Sequence, residues 1–345
     1  MGDPDMSQPH PLSFIVLAGF LGSGKTTLLC DFLAERADGD TAVIVNDVGE
    51  INIDGAIIAL TGDLPMATLS NGCVCCSLTN DLLYTIEALL EERHLSGAPP
   101  FARIVLECSG IATPGPIVRS LGALAHLDMR VKVVTTYSCT SEHEVMQQFE
   151  EAVSQLAAAH AVVLTKLDLV DELKRAAAQT NARALSPLAD IVVETDRGRR
   201  ASLAFAQSLP VRHARSREKL SLGPVHPRVG VYHLEFDQAV SWERLSEWLE
   251  NLIGYFDERL LRLKGFVQLE DYDGKILLQG VGPHIDLPRL CAQIAQPSSL
   301  IVILRDVSID ELAAIQPALP LKPISRGPRM KRPPSIGAVP AQRQR

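Results

Sequence analysis

The stretch SFIVLAGFLGSGKTTLL, residues 13–29, decides the fold of this chain. Its first half is an unbroken apolar run, which is typical of a strand that is buried on both faces. Its second half fits the pattern Gly, four residues, Gly-Lys-Thr, and runs from Gly19 to Thr26. Because the pattern stands directly between a strand and a helix-forming segment, it predicts a phosphate-binding loop. A glycine-rich strand-to-helix turn without a ligand is the simpler alternative.

Each part of this loop has a physical role in binding a nucleoside triphosphate. The glycines let the backbone wrap tightly, so that several N–H groups face one phosphate, and the helix N-terminus adds partial positive charge. We expect Lys25 to reach the β- and γ-phosphates and the Thr26 hydroxyl to bind Mg²⁺. The predicted nucleotide-binding residues of the loop are Gly19, Gly22, Ser23, Gly24, Lys25, Thr26 and Thr27.

Five further apolar runs recur up to residue 195, and amphipathic segments that favour helices stand between them. This repeated alternation of strand and helix predicts an α/β domain with a mostly parallel, doubly wound sheet over residues 13–209. The runs span 41–47, 103–108, 131–137, 161–166 and 191–195, and the helical segments span 24–36, 78–93, 143–158 and 171–184.

The order of elements changes after residues 210–228, where charge, Gly and Pro replace the apolar periodicity and indicate a linker. Beyond it, strand and helix signals predict a smaller α+β domain over residues 229–318. We expect residues 1–12 to be a flexible N-terminus and the Pro-rich, basic segment 319–345 to be disordered. The strand candidates of the second domain are 229–236, 262–270, 275–282 and 300–306, and its helix candidates are 241–252 and 308–317.

Composition excludes several classes of function. The chain has 345 residues, of which 46% are hydrophobic, and this is enough for two domains with a sizeable core. Its net charge of -8 argues against nucleic acid as a partner. No apolar run reaches the length that spans a membrane, and the N-terminus lacks the positive region of a secretory signal.

The seven cysteines indicate the compartment. They are odd in number and partly scattered, so they do not read as a disulfide framework, and a reducing cytoplasm is the simplest location. Cys30 and Cys291 fall within apparent helices, and we expect both to pack in the core together with Cys108.

A second motif, VLTKLDL at 163–169, predicts which base is bound. The Asp168 carboxylate would accept hydrogen bonds from the ring N–H and the exocyclic amine of guanine, whereas the ring lone pair of adenine would repel it. Lys166 would pack its stem along the base. The usual GTPase form is Asn-Lys-x-Asp, and Thr165 stands here in place of the Asn. An exposed Lys/Asp pair after a strand is the alternative.

The segment IVLECSG (104–110) provides a second acidic strand end. It would place Glu107 beside Mg²⁺ and the attacking water, and the Gly110 N–H at the γ-phosphate. A strand-terminal Glu in an ordinary turn is the alternative. The predicted catalytic residues are Lys25, Glu107 and Gly110.

The segment NGCVCCSL (71–78) places three thiols within four positions. Cys73 and Cys75 are two apart, so in an extended chain their side chains lie on one side and can chelate one ion, with Cys76 joining them if the loop bends. Thiolates select Zn²⁺ and other soft or borderline ions. A buried or redox-active thiol cluster is the alternative.

The segment VNDVGEINIDG (45–55) stands between the phosphate loop and the Glu107 strand, where a nucleotide-sensing switch belongs. Asp47 and Glu50 could hold a metal there, through the Mg²⁺ shell or as a fourth ligand beside the thiols. A solvated acidic loop would have the same composition.

Taken in order and spacing, GFLGSGKTTLL, VNDVGEINIDG, NGCVCCSL and ECSG resemble the CobW-type GTPases. These belong to the metal-handling branch of P-loop GTPases, together with the urease and hydrogenase nickel-insertion proteins. The segment RLKGFVQLEDYDGKILLQGVG (262–282) is similar to the CobW C-terminal domain, so the resemblance covers residues 13–318. One departure is Thr136, at a strand end where relatives often have an Asp.

The resemblance implies GTP binding and hydrolysis coupled to delivery of a transition metal, most commonly Zn²⁺ and in some branches Co²⁺ or Fe²⁺. The thiols would bind the metal, and the partner would be a client apo-metalloprotein; the sequence leaves a monomer and a homodimer open. A second hypothesis is a nucleotide- and metal-gated activator module for a cobalt or iron enzyme, of the cobalamin-synthesis or nitrile-hydratase type, with incidental hydrolysis. A third, an ATPase or kinase for small molecules, is disfavoured by Asp168.

Overall fold

Two sheets form the framework of the protein in a computed structural model that describes residues 11–35, 39–46, 65–68, 77–140, 145–146, 148–206, 226, 228–291 and 297–322. A parallel sheet carries the N-terminal half and an antiparallel sheet carries the C-terminal half. The predicted α/β domain with a smaller α+β domain is therefore confirmed. The predicted domain boundaries stay predictions, because residues 207–225 lie outside the described ranges.

The first sheet has seven parallel strands in the described part of the chain. They are β1 (Ser13–Gly19), β2 (Thr41–Val45), β3 (Met66–Thr68), β4 (Arg103–Glu107), β5 (Arg130–Ser138), β6 (Ala161–Thr165) and β7 (Asp190–Val192). Their order is β3-β2-β4-β1-β5-β6-β7. Every residue of β1, β2, β4 and β6 is buried, which explains the unbroken apolar runs. The three-residue strand β3 was not predicted.

Helices cover both faces of this sheet. They are α1 (Lys25–Ala34), α2 (Ser77–Leu95), α3 (Pro114–Leu121), α4 (Glu150–Ala158), α5 (Glu172–Leu185) and α6 (Arg197–Phe205). Helices α1 and α6 pack on one face and the other four on the opposite face, as a doubly wound domain requires. We did not predict α3, which is short and opens with two prolines, or α6, which opens with a basic run.

The predicted helix 143–158 is interrupted at Phe149, since Val145, Met146 and Gln148 before it are also helical. Phe149 has extended backbone angles (φ −124°, ψ 116°), and α4 begins at the next residue. The Phe149 ring packs against the ring of Phe20, with centroids 4.7 Å apart. A contact that is distant in sequence therefore accompanies this helix start, and periodicity does not reveal it.

The position of β1 determines where a ligand can bind. This strand lies between β4 and β5, so β2 to β4 lie on one side of it and β5 to β7 on the other. In such open sheets ligands bind at the carboxyl ends of the strands, where the strand order reverses. Leu17 of β1 pairs with Glu107 of β4 and with Val134 of β5. The glycine-rich loop after β1 therefore lies beside the carboxyl end of β4.

The C-terminal sheet is antiparallel. Its strands are β8 (Val229–Glu235), β9 (Leu260–Gln268), β10 (Lys275–Val281), β11 (His284–Ile285), β12 (Arg289–Cys291) and β13 (Ser299–Arg305), and its helices are α7 (Trp242–Phe256) and α8 (Ile309–Ala313). The order is β11-β10-β9-β13-β8, and β12 pairs with β10. The predicted hairpin around the turn at 271–274 is confirmed as β9–β10. Trp248 of α7 lies in the core of this domain.

The prediction of a helix at Cys291 was wrong. Cys291 ends β12 and pairs with Lys275 of β10. Backbone pairing with a neighbouring strand overrides the weak local preference for helix. The expectation that Cys108 fills the core is confirmed, since it is 2% exposed.

The two sheets share a hydrophobic core, and α4 lies within it. Val153 and Leu156 of α4 belong to the same buried cluster as Leu261 of β9 and Ile303 of β13. No residue of α4 after Glu151 is exposed. The contact between the domains is therefore a packed apolar interface, and α4 contributes to both sides of it.

A buried arginine also lies in this interface. Arg262 of β9 is completely buried, and its Nη1 is 3.5 Å from His160 Nδ1. The backbone N–H of Val133 donates to the same nitrogen at 3.0 Å. Burial first, and then the charge of Arg262, keep the pKa of His160 well below its usual value, so the ring stays neutral and can accept both donors.

The C-terminal sheet extends beyond the predicted domain end. The Lys322 N–H donates to Glu235 O at 2.7 Å, and Leu321 forms a bridge with Phe236. Residues 319–322, which we assigned to the tail, are therefore joined to the edge of β8. No helix in the described ranges has the length and apolar character needed to cross a membrane.

The domain interface predicts an effect on stability at Gly282. Gly282 has φ +58°, and a Cβ there would lie 2.8 Å from the Gly115 Cα at the start of α3. Gly97 has a similar φ of +66° but nothing within 4 Å of its Cβ position. We expect Gly97→Ala to cost about 1–2 kcal/mol, from the left-handed conformation alone. Gly282→Ala should cost a further 1–3 kcal/mol, roughly, from overpacking. Urea unfolding followed by circular dichroism measures both, and equal losses would contradict the close contact.

Candidate functional site

The loop between β1 and α1 adopts a backbone that requires glycine. Gly19 has φ +143°, and a Cβ on it would lie 2.1 Å from Thr136 Oγ1. Gly24 has φ +97° and precedes the first turn of α1, where no side chain caps the helix. The first N–H groups of α1 therefore point out of the helix end without a side-chain acceptor, which is the arrangement that binds an anion.

Two threonines on neighbouring strands hold this loop in place. The Thr165 hydroxyl, at the end of β6, donates to Ser23 O at 2.7 Å. The hydroxyls of Ser23 and of Thr136, in β5, are 2.7 Å apart and hydrogen-bonded. Thr165 and Thr136 are two positions where the sequence departs from the pattern that the resemblance leads us to expect, and the structure shows that each hydroxyl fixes the loop. Sequence reasoning had noted both substitutions but not this role.

Thr26 and Glu107 meet at the base of the loop. The Thr26 hydroxyl donates to Glu107 Oε1 at 2.6 Å, and the Glu107 side chain is buried. Lys25 is also buried, and its Nζ donates to Phe20 O across the loop at 3.4 Å. A hydroxyl and a carboxylate are the hard oxygen ligands that Mg²⁺ prefers, so the residues present fit this ion. Thr27, in the same turn of α1, is exposed.

The loop after β4 passes close to the phosphate loop. A Cβ on Gly110 would lie 2.5 Å from Leu21 Cδ2. Gln155 of α4 donates through Nε2 to Gly110 O at 3.0 Å and to Ala112 O at 2.8 Å. Sequence reasoning missed Gln155, and the one available signal was a polar residue on the apolar face of a helix.

Cys108 lies next to Glu107 but is chemically inert. Its N–H donates to Leu17 O at 3.0 Å, which continues the pairing of β4 with β1. Burial raises the pKa of the Cys108 thiol to about 12, so the thiolate does not form near neutral pH.

The predicted base-reading motif follows β6, at the same carboxyl ends of the strands as the phosphate loop. Lys166 has φ +54°, and this left-handed residue turns the chain into the single 3₁₀ turn Leu167–Leu169 that contains Asp168. Arg175 of α5 steadies the turn, because its Nη2 donates to Leu167 O at 2.9 Å. The structure therefore brings Lys166 and Asp168 to the carboxyl ends of the strands, where the phosphate loop also lies.

Arg197, which the sequence analysis did not predict, lies beside this motif. Arg197, the first residue of α6, donates from Nε and Nη2 to the two carboxylate oxygens of Asp31 at 3.0 and 2.7 Å. Asp31 raises the Arg197 pKa through this hydrogen bond, and the charge of Asp168 adds to the effect. The ion pair joins α1 to α6 next to Asp168.

The predicted metal ligands Asp47, Glu50, Cys73, Cys75 and Cys76 lie outside the described residues. The structure does describe residues that flank these ligands, namely 46 before Asp47 and 65–68 before the cysteines. Asn46 follows β2, and its N–H donates to Glu107 O at 2.9 Å. Strand β3 ends at Thr68, paired with Val45 of β2. Within the described ranges, no group of three or more His, Cys, Asp or Glu side chains could hold a metal ion.

Comparison with known proteins gives two family matches. The CobW/HypB/UreG nucleotide-binding domain matches residues 13–193. The C-terminal domain of the cobalamin synthesis protein cobW matches residues 229–316. These two ranges correspond to the parallel and the antiparallel sheet.

Similar proteins cover most of the chain. The zinc chaperone YjiA of Escherichia coli (strain K12) is 31% identical over an alignment of 288 residues, and the match covers 79% of this chain and 86% of the relative. The zinc chaperone CobW of a Sinorhizobium species is 27% identical over an alignment of 317 residues, and the match covers 79% of this chain and 85% of the relative. The crystal structure of Zn(II)-bound YjiA GTPase has the same fold, with a TM-score of 0.65 and 24% identity over 89% of this chain and 98% of that one.

The match to the nucleotide-binding domain spans more than half of the chain. It includes the phosphate loop, Glu107 and the turn that carries Asp168. The chain therefore belongs to the CobW/HypB/UreG family and is a P-loop GTPase with a CobW-type C-terminal domain.

Proposed function

We propose that this protein is a GTP-dependent metallochaperone that binds Zn²⁺ at Cys73, Cys75 and Cys76 and delivers it to a client metalloprotein. One observation carries the proposal. The eight residues from 69 to 76 join the end of β3 to the start of α2, and β3 ends at the edge of the sheet that carries the phosphate loop. The names of the relatives, zinc chaperones, support the choice of metal.

The strand end that leads to the thiols lies close to the strand end that carries Glu107. β3 and β4 are separated by β2 alone, so the end of β3 lies about 10 Å from the end of β4, at two strand spacings. Asn46 lies on the strand end between them and is bonded to Glu107 through its N–H. A change at the γ-phosphate that moves the end of β4 therefore reaches the segment that leads to the thiols.

In the proposed mechanism, the chain's own residues position and neutralise GTP. The N–H groups at the start of α1 and the Lys25 ammonium bind the phosphates, and the Gly110 N–H donates to the γ-phosphate. Asp168 accepts from the guanine ring N–H and amine, and Lys166 packs along the base. Bound Mg²⁺, held by Thr26 with Glu107 beside it, would neutralise charge on the phosphate oxygens.

Coupling between the sites follows from linkage. If GTP and GDP hold the metal loop in different geometries, the two nucleotide states differ in zinc affinity, and zinc changes nucleotide affinity by the same factor. Three thiolates leave one coordination position open, which suits transfer to a client better than a closed structural site does. Asp47 or Glu50 would fill that position until the client's ligand replaces it.

Zinc titration by competition with a chromogenic chelator tests the proposal. Removing an outer partner of a metal ligand costs about 10–100-fold in affinity, so Cys→Ser at 73, 75 and 76 together should cost more than about 100-fold. The control is Cys→Ser at 30, 139 and 291, which removes three described cysteines and should leave zinc affinity unchanged. In the wild type, a non-hydrolysable GTP analogue and GDP should give affinities that differ at least about 5-fold. Equal affinities of the wild type and the 73/75/76 variant would overturn the metal site.

Asp168→Asn tests the reading of the base. An asparagine offers one acceptor and one donor, which match the ring N–H and the carbonyl of xanthine better than the two donors of guanine. We expect GTP affinity to fall more than about 100-fold and XTP to become the preferred ligand. Asp128→Asn is the matched control, because Asp128 precedes β5 and therefore lies at the amino ends of the parallel strands, away from the predicted nucleotide site. Competition against a fluorescent guanine nucleotide measures the change, and an unchanged preference for GTP would remove Asp168 from the site.

A further inference from the structure

Gln155 is a buried polar residue that the proposed mechanism does not use. It lies on α4 among apolar neighbours and is 1% exposed. Its amide nitrogen donates to Gly110 O at 3.0 Å and to Ala112 O at 2.8 Å. Both N–H groups of one side chain are therefore used to hold the loop after β4.

This loop has little room to move while both hydrogen bonds are made. On the side of the phosphate loop, a Cβ on Gly110 would lie 2.5 Å from Leu21 Cδ2. On the other side, the Gln155 amide fixes the carbonyl of the same residue. The Gly110 N–H belongs to the same planar peptide as Ser109 O, and this oxygen accepts from the Ala112 N–H at 3.1 Å. Gln155 holds the Gly110 and Ala112 carbonyls of the same turn. The position of the Gly110 N–H relative to the phosphate loop thus depends on a turn that Gln155 holds in place.

The helix that carries Gln155 is itself held from two directions. The Thr135 hydroxyl of β5 donates to Gln155 O at 2.9 Å, and the Ser186 hydroxyl donates to Leu156 O. At its N-terminus, Glu150 forms an ion pair with Arg228, the residue that directly precedes β8 of the C-terminal domain. Together with the apolar contacts of α4 to β9 and β13, this joins the helix to the second domain.

Helix α3, at the other end of the loop, also contacts the C-terminal domain. A Cβ on Gly115 would lie 3.4 Å from the Gly282 Cα, so the two backbones touch. Arg119 donates to Asp257 Oδ1 at 2.7 Å. The loop therefore leads into α3 and is hydrogen-bonded to α4, and both helices pack on the second domain.

Space for a displacement of the loop lies on the same side. A cavity of ≈ 300 Å³ separates the loop from the C-terminal domain. Ile111 and Thr113 line one wall, and Leu261 and Pro283 line the other. Because packed interiors resist overpacking, a loop that borders a cavity can shift with less cost than one in a filled core.

We infer that Gln155 is a positioning residue for GTP hydrolysis and that, through α4, it couples the γ-phosphate contact at Gly110 to the interface with the C-terminal domain. This rests on the proposed function, since it takes the Gly110 N–H as the γ-phosphate donor. GDP lacks the γ-phosphate and therefore does not engage Gly110. Loss of the Gln155 amide affects the triphosphate state and leaves the diphosphate state alone.

The test uses the full-length protein and Gln155→Met, which keeps the length of the side chain and removes both donors. A misplacement of about 1 Å can cost about 100-fold in rate, so kcat for GTP should fall about 10- to 100-fold. Affinity for GDP and the KM for GTP should change less than about 3-fold, which separates a positioning role from general loss of structure. Ser154→Ala is the control: Ser154 is the neighbouring buried polar residue, its hydroxyl has no hydrogen-bond partner among the described residues, and kcat should stay unchanged.

Hydrogen exchange of β9 and of the β10–β11 turn measures the coupling. In the wild type, exchange should differ between a non-hydrolysable GTP analogue and GDP, and in Gln155→Met this difference should disappear. If Gln155→Met does not fold, Gln155→Asn takes its place, because it keeps an amide that is one methylene too short to reach the two carbonyls.

Three results would overturn the inference: wild-type kcat in the variant, a parallel loss of GDP affinity, or an exchange difference that persists. A wild type that fails to hydrolyse GTP would instead overturn the proposed function, so the two failures are distinguishable.

Discussion

The structure depends on one constraint, the tight passage of the backbone from β1 into α1. The strand is buried along its whole length, and the chain must turn over its end within five residues. The close approach of Gly19 to Thr136 leaves no room for a side chain. Hydrogen bonds from β5 and β6 then fix the loop through the Ser23 hydroxyl and carbonyl. The anion-binding helix end, the position of Glu107 and the approach of Gly110 all follow from where this loop is held.

The hydrophobic core of the second domain is continuous with the core of the first domain. Helix α4 packs on the parallel sheet and on β9 and β13 at once, and α3 touches the β10–β11 turn. The loop after β4 leads into α3 and is hydrogen-bonded to Gln155 of α4. In the proposed mechanism, a change at the γ-phosphate acts on groups that also form the domain interface. Buried Arg262 beside neutral His160 adds a polar contact to this interface.

Much of the fold could be predicted, because the apolar runs of β1, β2, β4, β5 and β6 are long and the phosphate loop has a specific spacing. The elements that were missed are those whose sequence signal is weak. Strand β3 has three residues, α3 opens with two prolines, and Cys291 pairs as a strand only because β10 lies beside it. For the candidate site, motifs predicted Glu107, Gly110, Lys166 and Asp168, and the structure places them after β4 and β6, at the same ends of the strands as the phosphate loop. Gln155 and Arg197 were not, since each acts through partners that are far away in sequence.

The sequence by itself determined the class of fold, the phosphate loop and the nature of the bound nucleotide, because these depend on local backbone requirements and on residue types at fixed spacing. It also identified the cysteine-rich segment from composition alone. Only the tertiary structure decided what Thr136 and Thr165 do, which helix holds the loop after β4, and how the two domains meet. Those features depend on which side chains come within hydrogen-bond distance once the sheets have packed, and no periodicity along the chain reports such distances.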